Sequence, residues 1–333
     1  MKKQILLFVR FYLTMPLLVI LIGIIGTVLI RRVDASAYII KEDIPEDTRL
    51  GFENELFPIE AIEELLFMPD NYRPIIAKTV KGDKIFNETS YSIDRDEILR
   101  YLPKYKITEE PLVLVIHTHG TESYLEGAVK AYYSDSSTMV EAYYDPKKTK
   151  TRTDDTEKNV VAVGEVFCET LENRGVPVLH CTKMFDLEDY NTSYSKSARA
   201  IEEYLEEYPS IRLVIDLHRD SLISGDLTKI KTVAGELDSR SAQVMIVAGS
   251  DAGGSVYKSW KRSLALDIKI KEVMDKSYPS LSRPILLRGA RYNQHLAYSS
   301  FLLEVGTCAN TLDEAKTAAA LCAECVAEVI LNP

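Results

Sequence analysis

The sequence predicts an α/β protein: a mostly parallel central sheet with helices on both faces, preceded by one N-terminal transmembrane helix. Three observations predict it. From residue 111 onward, short apolar runs alternate with helical patterns, as in a layered α/β domain. Those runs lack strict apolar–polar alternation, as strands covered on both faces do. Near the start, residues 11–30 (FYLTMPLLVILIGIIGTVLI) form a stretch of twenty without a charge.

At ~1.5 Å per residue that stretch spans the ~30 Å hydrocarbon core of a bilayer. Lys2, Lys3 and Arg10 precede it, and Arg31 and Arg32 follow. The positive-inside rule therefore favours a cytoplasmic N-terminus by a small margin. Two arginines separate the stretch from Ala35-Ser36-Ala37, which imitates a signal-peptidase site, so an uncleaved anchor is expected. Residues 1–32 read as cytoplasmic stub and anchor, with the rest of the chain outside. Residues 33–110 are polar and acidic, with helical turns at 55–68 (ELFPIEAIEELLFM) and 92–105 (SIDRDEILRYLPKY). They read as an extracytoplasmic stalk or small N-terminal module.

Residues 111–333 form the expected catalytic domain. Strands are expected at 112–117, 176–181, 211–217, 243–248 and 301–305. Helices are expected at 157–174 (closed by Gly175), 194–208, 257–277 and 312–331. Residues 124–156, polar and rich in Tyr and Asp, are an insertion that is either a functional lid or mobile.

The chain carries −10 overall, and residues 1–32 hold five basic residues and no acid, so residues 33–333 carry −15. That balance argues against nucleic acid or anionic lipid as a ligand. The five cysteines (Cys168, Cys181, Cys308, Cys322, Cys325) cannot all pair within one chain. Cys322-x-x-Cys325 sits in a helical pattern with no second pair spaced for zinc, so packing is its reading.

In open α/β sheets, ligands bind beyond the carboxyl ends of strands. His117 and His119 end the first strand, in LVLVIHTHG; His218 ends another, in LVIDLHRDS; Glu304 ends a third, in FLLEVG. Glu157 opens the first helix, with Asp155 or Thr156 as its N-cap, and reaches the same edge. A glutamate in an apolar strand is hard to explain as filler, because an unpaired buried carboxylate is costly. Two histidines, a carboxylate and an open position are a catalytic zinc set. His119, Glu157 and His218 suit the ligands, and Glu304 suits the general base that moves the water proton to a leaving amine. No G-x-S-x-G elbow is present for a serine triad. Residues Gly249 to Gly254 are glycine-rich but lack the Lys-Ser/Thr of a phosphate loop, leaving a turn or a substrate-facing loop.

HTHGTESY (117–124), DLHRDS (216–221), RYNQHL (291–296) and LLEVG (302–306), behind one anchor, resemble the stage II sporulation protein P family. More distantly, residues 110–330 look like type 3 zinc N-acetylmuramoyl-L-alanine amidases. The resemblance implies a phosphorylase/hydrolase-like fold and a zinc enzyme of the septal or engulfing membrane that thins septal peptidoglycan. It implies cleavage between N-acetylmuramic acid and L-alanine, action on peptide cross-links, and the stage II sporulation proteins D and M as partners. Laid over the amidase motifs, His119-Gly120, Glu157-Lys158-Asn159, Leu217-His218 and Leu303-Glu304-Val305-Gly306 fall in order. Glu122 rivals Glu157 as the carboxylate ligand; the context T-E-K-N-V-V ranks Glu157 higher. Arg219, Arg291, Tyr292 and Asn293 are expected to face the substrate. Gly120 replaces a threonine of the sporulation family, and His295 replaces the aspartate of RYNQDL.

Overall fold

A strand that is apolar at every position needs cover on both sides, and Val113–Ile116 has it: all four residues are buried. The computed structural model describes residues 72–82, 84–130, 140–235 and 241–333. The expected membrane span at 11–30, Ala35-Ser36-Ala37 and the turns at 55–68 lie outside the described residues. Among the described residues, no helix is long and apolar enough to cross a membrane.

In chain order the strands are β1 (Arg73–Lys78), β2 (Ile85–Asn87), β3 (Val113–Ile116), β4 (Val129–Lys130), β5 (Val140–Tyr144) and β6 (Val178–His180). They continue with β7 (Leu213–Asp220), β8 (Lys229–Thr232), β9 (Val244–Gly249), β10 (Ile285–Arg288) and β11 (Ser299–Thr307). The helices are α1 (Arg95–Leu99), α2 (Val160–Asn173), α3 (Ser193–Glu207), α4 (Trp260–Ser277) and α5 (Leu312–Leu331).

Seven strands form the main sheet in the order β2-β10-β9-β11-β7-β3-β6. Every neighbour is parallel except β9 and β11. A smaller sheet, β4-β5-β1-β8, gathers strands from the insertion, the N-terminal segment and the loop after β7. The five expected strands and four expected main helices are all present, with shifted ends except for α5, which spans the expected 312–331. The largest end shift that matters is at α2. Its N-cap is Asn159, whose side chain accepts from the Val161 N–H, so the helix starts at Val160 and Glu157 lies before it.

Residues 73–110 do not stand apart as a stalk. β2 pairs with β10 at the edge of the main sheet, and β1 runs parallel to β8. Tyr91 stacks on Trp260 of α4 with ring centroids 5.2 Å apart, and Ile98 is buried in the main core. Strand side chains alternate between faces. One face of the main sheet carries Val113, Val115, Leu213, Ile215, Phe301 and Leu303, packed with residues of α2, α4 and α5. On the other face, Ala200 and Ile201 of α3 pack on Leu114, Ile116 and Val214, while Tyr292 packs beside Met245, Val247 and Leu302. All five cysteines are buried and free.

Candidate metal centre

The second face holds the chemistry. Asp216 and His218 follow Val214 at alternate positions of β7, and Glu304 follows Leu302 on β11; Glu304 is the register partner of His218. His218 and Glu304 thus lie inside their strands rather than at the tips, because β7 runs on to Asp220 and β11 to Thr307. Pairing slips between Glu304 and Thr307, and Gly306 takes φ 66° there, a conformation that favours glycine.

His119 arrives from the turn after β3. The Glu122 N–H donates to the His119 carbonyl at 3.0 Å, closing a turn that sets the two side chains together. Glu122 Oε1 is 3.9 Å from His119 Nδ1, and Glu122 Oε2 is 3.4 Å from His218 Nδ1. Residues His119, Glu122 and His218 are all buried, and their ligand atoms lie within 4.8 Å of one another. This corrects the expected set: the carboxylate beside the two histidines is Glu122, whereas Glu157 is exposed in the turn ahead of α2, its N–H on Asp155 Oδ1.

Each member has a support. Asp216 lies 2.9 Å from His218 Nε2, at an angle that leaves this nitrogen without a hydrogen bond. Asp216 accepts from the Thr118 N–H at 2.8 Å and the Thr118 hydroxyl at 2.7 Å. His117, immediately after β3, is fully buried. Its Nδ1 donates to the Leu217 carbonyl at 2.9 Å, and its Nε2 lies 2.8 Å from His180 Nε2. Burial and the neighbouring His180 push its pKa down to about 3, so it is a neutral prop behind His218. Tyr190 stacks on the His119 ring at 4.4 Å. Gly120 makes room for that segment, since a Cβ there would come within 2.9 Å of the Met184 Cα. A threonine at this position would need the segment to move.

Burial alone would raise the Glu122 pKa, but His218, Arg219 and His119 outweigh it and hold the carboxyl at about 2. Burial likewise disfavours charge on His218, yet Asp216 and Glu122 raise its proton affinity well above normal. Glu304 is the opposite case. Its Oε2 is shielded from solvent without a hydrogen bond, and burial raises its pKa to about 8, with Asp220 and Glu122 adding to the effect and His218 and Arg219 opposing it.

Three of the expected substrate-facing residues, Arg219, Arg291 and Asn293, have hydrogen-bond partners within the chain. Arg219 is buried; it donates to the carbonyls of Ser123 (3.0 Å) and Thr151 (2.8 Å), with Nη1 3.7 Å from Glu122 Oε1. Its task is to fasten the insertion and hold Glu122. Arg291 donates to the Val256 carbonyl at 3.3 Å. Tyr292 and Asn293 adopt φ 48° and 58°, and Asn293 Nδ2 donates to the Tyr194 carbonyl at 2.7 Å. His295 is apart from the cluster, 6.4 Å from Tyr257 between ring centroids. The glycine-rich loop after β9 is a turn held by the Gly253 N–H on the Gly289 carbonyl. Because β9 opposes β11, that loop leaves the sheet at the edge away from His119. Sequence reasoning passed over Arg152, which bridges Asp186, Thr121 and Glu122 from the insertion. It also passed over Tyr190 and Tyr194. A basic residue among the threonines at 149–153 was the one available signal.

The donor set suits a divalent cation. Two imidazoles and an ionised carboxylate converge in a buried space, and the field that raises the proton affinity of His218 attracts a metal in the same way. His218 turns Nδ1 toward the cluster and has Nε2 2.9 Å from the Asp216 carboxylate, the side on which metal-ligating histidines are commonly backed by a carboxylate.

Fold and site together define a mostly parallel α/β protein with a metal-capable His–Glu–His cluster on one sheet face. A family model described as "Stage II sporulation protein P (SpoIIP)" matches residues 70–327. The chain belongs to that family. It is 27% identical over 240 residues to the stage II sporulation protein P of Bacillus subtilis (strain 168), covering 68% of this chain and 53% of the relative. The chain therefore spans about half the length of that relative. Among solved structures it is similar to N-acetylmuramoyl-L-alanine amidase AmiC2 of Nostoc punctiforme, with a TM-score of 0.35 at 13% identity over 68% of this chain and 97% of that one. The CwlD amidase from Clostridioides difficile, solved with the GerS lipoprotein, has a TM-score of 0.36 at 13% identity over 66% and 96%. Likeness this loose is silent on activity.

Proposed function

We propose that the chain is a membrane-anchored, zinc-dependent peptidoglycan hydrolase that cleaves the amide between N-acetylmuramic acid and L-alanine during sporulation. The observation that carries the reading is the buried His119–Glu122–His218 cluster with the unpartnered carboxyl of Glu304 on the adjacent strand. The motifs around His119, His218 and Glu304, which resemble those of zinc amidases, point to the muramoyl amide as the bond. Anchoring through residues 11–30 belongs to the same proposal and rests on that uncharged stretch; septal wall thinning, cleavage of peptide cross-links and the partners D and M follow from the family.

His119, Glu122 and His218 would hold the zinc. Bound there, zinc would polarise the scissile carbonyl and make water a stronger acid. Glu304 accepts the proton of the attacking water and passes it to the amine nitrogen as the C–N bond breaks. For this Glu304 must ionise; burial, with Asp220 and Glu122, holds its pKa near 8, and a dication held beside His218 would draw it down. His117 and Asp216 keep His218 from turning away.

The test is digestion of purified peptidoglycan by the zinc-loaded full chain, counting new N-terminal L-alanine. Glu304→Gln is expected to lower turnover by on the order of a thousandfold while zinc stays bound. Wild-type digestion that releases no new L-alanine ends overturns the amidase reading. Undiminished turnover in Glu304→Gln overturns the base.

A further inference from the structure

We propose that Tyr194 is a further catalytic residue of this site, its phenol donating a hydrogen bond to the oxygen of the attacked carbonyl as negative charge develops there. The inference rests on the amide-hydrolysis reading above.

Position comes first. Tyr194 is the second residue of α3, and its ring meets the His119 ring edge-on with centroids 5.5 Å apart. The backbone is pinned: Asn293 Nδ2 donates to the Tyr194 carbonyl at 2.7 Å and to Ser197 Oγ at 3.1 Å. Ser197 Oγ lies 2.8 Å from the Thr118 hydroxyl that holds Asp216. One polar network thus sets both the His218 support and the start of the helix bearing Tyr194. That also explains the left-handed Asn293, which aims its amide at Tyr194 rather than at a substrate.

The hydroxyl is the second point. Tyrosines with an enclosed phenol usually find a partner for it. Here Tyr105 bonds Ser299, Tyr124 bonds the Val305 carbonyl, Tyr144 bonds the Leu227 carbonyl and Tyr257 bonds Ser263. Tyr194 is half-buried, and no group among the described residues bonds its hydroxyl. The cationic donors of the site are committed: Arg219 to two carbonyls and Glu122, Arg152 to Asp186, Thr121 and Glu122. An uncommitted donor beside the ligands is what a developing oxyanion needs. No bond to Tyr194 forms or breaks: the proton is shared while the carbonyl carbon is tetrahedral, and stays on the phenol when the C–N bond breaks and the C=O re-forms.

Since the hydroxyl has no partner to lose, Tyr194→Phe should fold as the wild type does. The experiment compares the zinc-loaded full chains on soluble glycan fragments carrying stem peptides, with zinc content and melting temperature measured alongside. The expected result is a kcat loss of about 100-fold or more, KM within about threefold, and unchanged zinc and melting temperature. A kcat within about threefold of wild type overturns the proposal, as does a change confined to KM. Loss of zinc overturns it too, since Tyr194 would then merely position His119. A silent wild type is a different failure: it removes the hydrolase reading, and this proposal with it.

Discussion

Glu122 and Glu157 compete for one role, and the local backbone separates them. Glu122 sits in the turn that starts at His119, is buried, and is held ionised by His218, Arg219 and His119. Glu157 is exposed, and the Asn159 cap moves the helix start past it. Glu122→Ala is expected to weaken zinc binding by more than about 100-fold, beyond what loss of a supporting residue costs. Glu157→Ala should leave zinc binding unchanged. Elemental analysis of both variants after dialysis decides it; the opposite ranking would restore Glu157. The spacing His119-x-x-Glu122 is visible in the sequence, but the hydrogen bond that makes it a turn is not. Arg219 misleads for a related reason, because a basic residue beside a site reads as substrate-facing until its two carbonyl partners are seen.

At the scale of an element, α4 contains a misfit. Asp267 is fully buried in this helix, neither carboxyl oxygen has a hydrogen bond, and burial raises its pKa well above normal. The folded state therefore keeps a proton that the unfolded chain releases above about pH 4. The folded form binds more protons, so stability falls as pH rises from there toward the raised folded pKa. The slope from one such group is at most about 1.4 kcal/mol per pH unit. Asp267→Asn removes it. In thermal melts between pH 4 and 8, the variant should gain on the wild type as pH rises; parallel curves would show that Asp267 is ionised in the fold. The helix itself was legible from its apolar spacing, and its start moved only from 257 to Trp260.

For the whole molecule, the antiparallel contact between β9 and β11 divides the sheet into two parallel blocks, one ending at β2 and one at β6. The N-terminal segment closes the first block. A chain beginning at residue 111 would lose β2 and β1, strip Tyr91 from Trp260 and remove the buried Ile98. Relative to a chain beginning at residue 72, it should lose more than about 3 kcal/mol of stability by denaturant titration. Equal midpoints would mean that residues 73–110 are dispensable. These strands escaped the sequence because RPIIAK and IFN are short and lie at or near sheet edges, where one covered face needs few apolar residues.

The sequence by itself determined the α/β layering, since short apolar runs alternating with helical patterns point to a layered α/β domain. It also marked His119, His218 and Glu304, because imidazoles and carboxylates in apolar strands are too costly to be filler. Only the tertiary structure decided which carboxylate joins the histidines, what Arg219 and Asn293 hold, and that Tyr194 stands uncommitted beside them. Those depend on which turns close and which strands become neighbours. Such contacts join residues as distant as Glu122 and His218, and spacing along the chain does not encode them.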